Sequence, residues 1–337
     1  MKETGKHNSI SDVAGLTAGH FTDIRAVSGV TVVICEKGAV AGVDVRGAAP
    51  GTRETDLLNP INLVEKVQAV VLSGGSVYGL AASDGVVRWL AKKKLGFPVN
   101  AEHVAPIVPA AVLFDLGRGA DFIPPVVPEW GFKACESAQA GPLAQGCHGA
   151  GTGAVSGGIK GGLGAASLVI NSGITVAAVV AVNSLGSVVN PQTGRMWEQD
   201  VEIDDEFKGQ TKRRVQLPPM DIAAPATNTT IGIVATDAIL TKVQATKIAQ
   251  MAHDGLARAI RPSHTMFDGD TIFCLATGHK DLPLGTDTYP GRQVQFINDI
   301  GHAAAECMAR AIIHGVLSAK TMGSFLAFRD LKDLKLN

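Results

Sequence analysis

Residues 174–182 read ITVAAVVAV, and a strand this apolar has to be buried. A second apolar run, residues 165–170, precedes it. Both follow the most glycine-dense stretch of the chain, residues 146–164 (GCHGAGTGAVSGGIKGGLG). From residue 229 onward the pattern becomes β-α-β-α. Residues 229–235 read as a strand, and Thr241 caps a helix with apolar Ile248, Met251, Ala252, Leu256 and Ile260. Residues 271–276 read as a second strand and 294–317 as a long helix. Upstream, residues 29–47 read as a hairpin turning at Glu36-Lys37-Gly38, residues 56–67 as a short helix, 69–73 as a buried strand and 74–90 as a helix. Residues 100–130 are proline-rich and read as irregular, with a short strand near 112–114. Residues 192–226 carry EIDDEFKGQTKRR and read as a surface loop, poorly ordered in part. Buried strands interleaved with helices imply an α/β fold with sheets packed between helices. No linker or internal repeat divides it, so residues 1–337 form one expected domain.

Composition narrows the function. Gly is abundant (39 residues) and aromatics make up only 5%, which suits closely packed layers. The 30 basic and 31 acidic residues are scattered, with no basic stripe for nucleic acid. No window is long and apolar enough to span a bilayer, and the polar start MKETGKHNSISD leads into no signal-peptide core, so a cytoplasmic protein is expected. Five widely spaced cysteines without C-x-x-C fit a reducing compartment, and the nine histidines have no ligand spacing. The expectation is therefore no metal and no cofactor, with small molecules or copies of the same chain as partners.

Two segments could carry chemistry. Ala226-Thr227-Asn228-Thr229-Thr230-Ile231 sets hydroxyls between the charged loop and a strand. Were the bond before Thr229 cut, one residue would hold a hydroxyl nucleophile and an α-amine whose reference pKa of about 7.7–8.0 suits a base near neutrality. Capping or turn use of the same residues is the plain alternative, and Thr230 is the rival nucleophile. Asp268-Gly269-Asp270 stands directly before the strand TIFCLA, where carboxylates at i and i+2 can share a face; a solvated turn is the alternative. Lys160, between glycines, either points into a pocket or lies on a flexible surface loop. Asn183 leaves the buried strand where an oxyanion donor could sit or where a turn could begin, with Asn190 as its rival.

Other patterns miss their register. Gly149–Ala154 imitates a dinucleotide fingerprint but follows no strand, and in residues 74–79 Tyr78 stands where a nucleophile elbow needs glycine. Cys147-His148 are adjacent and point apart in extended chain, which favours a structural thiol.

Taken together, GLTAGHFTD, GAVAGVDVRGAAPGTRETDLL, VVLSGGSVYGLAASDGVVRWL, PIVPAAVLFDLGRG, GAGTGAVSGG, IKGGLGAAS, VAVNSLGS, NTTIGIVATDA and the late DGD resemble the P1 family of DmpA-like L-aminopeptidase/D-esterases over nearly the whole chain. The combination of D-G-D with N-T-T is nearest the endo-type 6-aminohexanoate-oligomer (nylon oligomer) hydrolase branch. The resemblance implies an αββα sandwich like that of N-terminal-nucleophile hydrolases with different connectivity, often tetrameric. It further implies self-cleavage after Asn228 into chains 1–228 and 229–337, with Thr229 as nucleophile. Asp268 and Asp270 would support it, Lys160 would belong to the active centre, and Asn183 would be the oxyanion donor. A pocket tyrosine is also implied; Phe114 stands in the matching stretch, and Tyr78 is the other candidate. The expected activity is hydrolysis of small amide, peptide or ester substrates. The alternative is an uncleaved, non-catalytic relative that binds a small ligand in the same pocket; a third reading is a nucleotide enzyme using the glycine-rich loop.

Overall fold

The computed structural model describes residues 3–219, 228–282 and 290–334. Nine strands form one hydrogen-bonded sheet: β1 (Thr17–Asp23), β2 (Ser28–Val45), β3 (Gly51–Arg53), β4 (Lys66–Ser73), β5 (Ala110–Val112), β6 (Gly162–Val169), β7 (Thr175–Val182), β8 (Ile231–Ala238) and β9 (Thr271–Lys280). The order is β6-β7-β8-β9-β2-β4-β5-β3, with β1 also paired to β2. Four helices cover it: α1 (Ala82–Lys92), α2 (Pro128–Glu136), α3 (Lys242–Ala259) and α4 (Pro290–Ser318).

The 18-residue β2 sets the architecture. Its first part pairs with β1 and β4, from Val30 opposite Ser73 to Ile34 opposite Ala69; its second part pairs with β9, from Val40 opposite Ala276 to Val45 opposite Thr271. The expected hairpin over residues 29–47 is therefore a single strand. Glu36-Lys37-Gly38 forms a bulge where the register against β4 shifts between Ile34 and Ala39, and Gly38 takes φ +76°. Each half of the strand has its own outside partner, so the chain need not fold back on itself. A bulge bends a strand, and here it passes β2 from one layer to the next.

Side-chain alternation then makes the layers. Val30, Val32, Ile34, Ala69 and Val71 pack with Val86, Leu90 and Trp130 of α1 and α2. Ala178, Val180, Val234, Ile272 and Cys274 pack with Ile248, Leu256, Met308 and Ile312 of α3 and α4. The opposite faces meet in between, where Val33, Val70 and Leu72 join Val179, Ile233, Phe273 and Leu275. The result is the expected αββα sandwich, built from one sheet bent onto itself. Small residues allow the approach: a Cβ on Gly164 would stand 1.9 Å from the Ala311 carbonyl oxygen, so α4 lies directly on β6.

Local expectations fared unevenly. Thr241 caps α3 in a capping box with Gln244, as the sequence implies. Residues 56–67 supply only a single turn, Asp56–Leu58, before β4 begins at Lys66. Residues 74–90 start as the six-residue 3-10 helix Ser76–Ala81 before α1, and the proline-rich stretch ends in α2, which Pro128 opens because that position needs no N–H. The loop over 192–226 is anchored through residue 219, with Ile203, Phe207, Thr211 and Val215 buried, since its apolar side chains join the core of α4; residues 220–226 lie outside the described residues. Among the described residues no helix is long and apolar enough to cross a membrane.

Candidate active site

Two registers bring the candidate residues together. β7 and β8 are antiparallel with Ala181 opposite Ile231, so Asn183, leaving β7, lies beside Thr229 and Thr230, entering β8. The Thr229 N–H donates to the Asn183 carbonyl at 2.5 Å. β8 and β9 are parallel, joined over α3, with Ile231 opposite Thr271. That places Asp268, Gly269 and Asp270, entering β9, on the other flank, and the Thr271 N–H donates to the Thr230 carbonyl at 3.2 Å.

Thr229 is buried, and its hydroxyl donates to the carbonyl oxygen of Asn228, the residue before it. Gly269 lies against it: a Cβ there would stand 2.9 Å from Thr229 Oγ1 and 2.5 Å from the Ala49 carbonyl oxygen, so only glycine leaves the hydroxyl its place. The Thr230 hydroxyl is buried without a hydrogen-bond partner among the described residues, while its N–H donates to Asp270 Oδ1 at 2.8 Å.

The two carboxylates grip the frame around the hydroxyl. Asp268 accepts from Leu185 N at 3.2 Å on one oxygen, and from Thr265 N at 3.0 Å and Thr265 Oγ1 at 2.5 Å on the other. Asp270 accepts from His264 N at 3.1 Å, with His264 Nδ1 2.8 Å from the same oxygen. Burial, reinforced by the neighbouring Asp270, raises the Asp268 pKa. In the continuous chain these side chains therefore fix the loop residues Leu185, Thr265, His264 and Thr230, and Gly269 between them meets the hydroxyl.

Asn183 is fully buried. Its Oδ1 accepts from Arg118 Nη1 at 2.6 Å and from Val155 N at 3.0 Å, and its Nδ2 donates to the Phe114 carbonyl at 3.2 Å. Lys160 is buried rather than on a flexible surface: its Nζ donates to the carbonyls of Gly151, Ala154 and Gly161 at 2.8–3.1 Å. Burial lowers its pKa to about 8, against the opposing effect of Cys147. Lys160 and Arg118 share the wall of a cavity of about 80 Å³ with Val155, Gly153 and Phe325, and of the two cations it is Arg118 that bonds to Asn183. Phe114 meets Asn183 through its main chain. Tyr78 is exposed on the turn Ser76–Ala81, and Asn190 spends its Oδ1 on Gln192 N at 2.9 Å and Thr193 N at 3.2 Å, which fixes a turn. No hydrogen bond among the described residues joins Tyr78 or Asn190 to Thr229 or Asn183.

Sequence reasoning did not single out Arg118, Thr265, His264 or Gly269. Arg118 is in the quoted DLGRG and His264 stands just before the D-G-D, but neither spacing signals a contact with Asn183 or Asp270.

A family model described as peptidase family S58 matches residues 8–327. An aminopeptidase of Mycobacterium bovis, described as uncharacterized, is 43% identical over 339 residues, covering 96% of this chain and 98% of its own. A 6-aminohexanoate-oligomer endohydrolase of Kocuria sp. is 30% identical over 327 residues, covering 93% of this chain and 87% of its own. Among solved structures, the L-aminopeptidase D-Ala-esterase/amidase from Ochrobactrum anthropi aligns with a TM-score of 0.73 at 23% identity, over 96% of this chain and 89% of its own. It is described as a variant of the Ntn-hydrolase fold, and the likeness carries the fold.

Proposed function

The chain belongs to peptidase family S58 and is a hydrolase of peptide or amide bonds, and from that premise we propose that it cuts itself between Asn228 and Thr229 and then uses Thr229 as an N-terminal nucleophile. The observation that carries this reading is the hydroxyl of Thr229 resting on the carbonyl of Asn228, at the entrance of a rigid strand.

In scission, Thr229 Oγ1 bonds to the Asn228 carbonyl carbon, the Asn228–Thr229 C–N bond breaks, and the hydroxyl proton ends on the Thr229 nitrogen. Water then hydrolyses the ester, leaving the Asn228 carboxylate and restoring the hydroxyl. The new α-amine, with a reference pKa of about 7.7–8.0, serves as base and then acid when the same oxygen attacks a substrate amide or ester. Asn183 Nδ2 donates to the oxyanion, and Asp268 and Asp270 hold the nucleophile's surroundings through Leu185, Thr265, His264 and Thr230. Lys160 contributes positive charge to the wall that Arg118 shares with Asn183. The tie of the Thr230 N–H to Asp270 supports Thr229 over Thr230, because it leaves the earlier hydroxyl at the carbonyl.

The products are residues 1–228 and 229–337, the second of 337 − 228 = 109 residues. Because β7 and β8 fall in different fragments yet pair along their length, the cut leaves one sheet. The substrates expected from the relatives are small peptides and amide oligomers. Thr229→Ala tests the reading: a single 34.9 kDa chain is expected, with hydrolysis of amino-acid p-nitroanilides reduced at least about a thousandfold. Two fragments from that variant, or a fragment beginning at Thr230 from the parent chain, would overturn it.

A further inference from the structure

Asn183 can serve an oxyanion only in one of its two amide orientations. A carboxamide turned by half a rotation presents an oxygen where the reaction needs an N–H, and its two ends differ little in shape. The surroundings of Asn183 distinguish them. Its Oδ1 receives two donors, the Val155 N–H at 3.0 Å and Arg118 Nη1 at 2.6 Å. On the other side, Phe114 offers a carbonyl to Nδ2 at 3.2 Å. Flipping the amide would set its NH2 against a guanidinium and a backbone N–H, and its oxygen against a carbonyl. Val155 and Phe114 are main-chain partners that any side chains could supply; among the described partners Arg118 brings a charged side chain, and hydrogen bonds to charged donors are about twice as strong as neutral ones.

Arg118 is itself held. Its Nη1 also donates to the Gly153 carbonyl, and its guanidinium lies 5.9 Å from the Phe325 ring centre. Asp115, three residues before it in the same loop, is buried and anchored by Gly75 N at 2.6 Å and Ser28 Oγ at 2.8 Å. The loop therefore delivers the guanidinium to a fixed place.

We infer that Arg118 is a positioning residue of the reaction: it locks the Asn183 amide with Oδ1 turned away and Nδ2 turned to the oxyanion, and its charge polarises that N–H. The inference rests on the proposed role of Asn183. It makes Arg118 act through Asn183 alone, a demand that a merely structural role does not meet.

The test is the first-order rate of self-scission, followed on gels from freshly made full-length chain, for Arg118→Met, Arg118→Lys, Asn183→Ala and the doubles in the Asn183→Ala background. Asn183→Ala should slow scission about 10²–10³-fold, and Arg118→Met about 10- to 100-fold. Arg118→Lys should recover most of that loss, with melting temperatures close to the parent's. The decisive comparison is the double: once Asn183 is alanine, removing Arg118 should cost less than about twofold, since coupled residues are not additive. Full additivity overturns the inference, and so does a parent-like rate for Arg118→Met when Asn183→Ala is slow. Should Asn183→Ala itself cleave normally, the oxyanion assignment falls as well, so the two failures are told apart. If Arg118→Met does not fold, the lysine variant decides: its smaller loss must vanish in the Asn183→Ala background, and a loss that persists there overturns the proposal.

Discussion

Two clusters of buried charge treat their carboxylates in opposite ways. In one, Glu206 of the long loop faces Arg310 of α4, with Arg310 Nε at 2.6 Å, its Nη2 at 2.8 Å and His314 Nε2 at 2.7 Å. Burial works to raise the Glu206 pKa, but the hydrogen bonds and charges of Arg310 and His314 outweigh it and hold the group at about 2. Arg310, fully buried, also donates to the Ser167 carbonyl at 2.8 Å and Asn8 Oδ1 at 3.0 Å. In the other cluster, Asp268 has neutral donors and a second carboxylate for a neighbour, and its pKa is raised. The first cluster is built to keep its charge and clamp the loop to α4. The second sets two carboxylates close together beside the proposed nucleophile, an arrangement that disfavours charge as sites of chemistry often do.

The largest expected effect breaks the clamp. Arg310→Met leaves Glu206 buried without its main partner, and the unfolding free energy measured in urea should fall by about 3–5 kcal/mol. Adding Glu206→Gln to it should return a good part of that loss, because no uncompensated charge then remains. An Arg310→Met chain within about 1 kcal/mol of the parent would mean that the cluster does not hold the loop.

Acid should weaken the same cluster by a smaller amount. Glu206 has a folded pKa of about 2 against an ordinary 4.5, so its contribution is present above about pH 4.5 and is lost as the pH falls toward 2. The whole effect is up to about 3 kcal/mol. Melting curves between pH 5 and pH 2 should show the decline in the parent, and Glu206→Gln should flatten it. An equally steep decline in the variant would assign acid lability elsewhere.

What the sequence disclosed follows the range of the forces involved. The capping box at Thr241, the β8–α3–β9 unit and the buried run of β7 rest on neighbours a few residues away and were legible in composition and period. The residues at the entrances of β8 and β9 were legible as N-T-T and D-G-D, and parallel pairing explains their meeting. The bulge at Glu36-Lys37-Gly38 was not, because the same turn residues serve a hairpin or a bulge, and only the outside partners β4 and β9 choose between them. Arg118, 65 residues from Asn183, and Glu206, 104 residues from Arg310, leave no local pattern at all. The charged loop was read as surface because Arg310 and His314, the partners that bury its Glu206, stand on a helix far along the chain.

The smallest effect separates the two carboxylate environments by sign. Asp268→Asn removes the repulsion from Asp270 and the burial of a charge. The amide oxygen can keep the two Thr265 bonds, and the NH2 gives up the longer one from Leu185 N at 3.2 Å. The gain and the loss nearly offset, so at pH 8 the variant should be equal to the parent or more stable by up to about 1 kcal/mol, which for a chain of this size is a rise of about 2–4 °C in melting temperature. The sign with pH follows from the raised pKa: the folded parent binds the Asp268 proton more readily than the unfolded chain does, so acidification through that pKa stabilises the parent and closes its gap to the variant. Glu206→Gln, in contrast, should be less stable than the parent at pH 8, and its gap should close only in strong acid. Scission by Asp268→Asn should slow even so, because the charge that strains the fold also braces Leu185 and Thr265 around Thr229. An Asp268→Asn chain that melts below the parent at pH 8, with a difference the same at pH 5, would show that Asp268 is a carboxylate at rest, as Glu206 is.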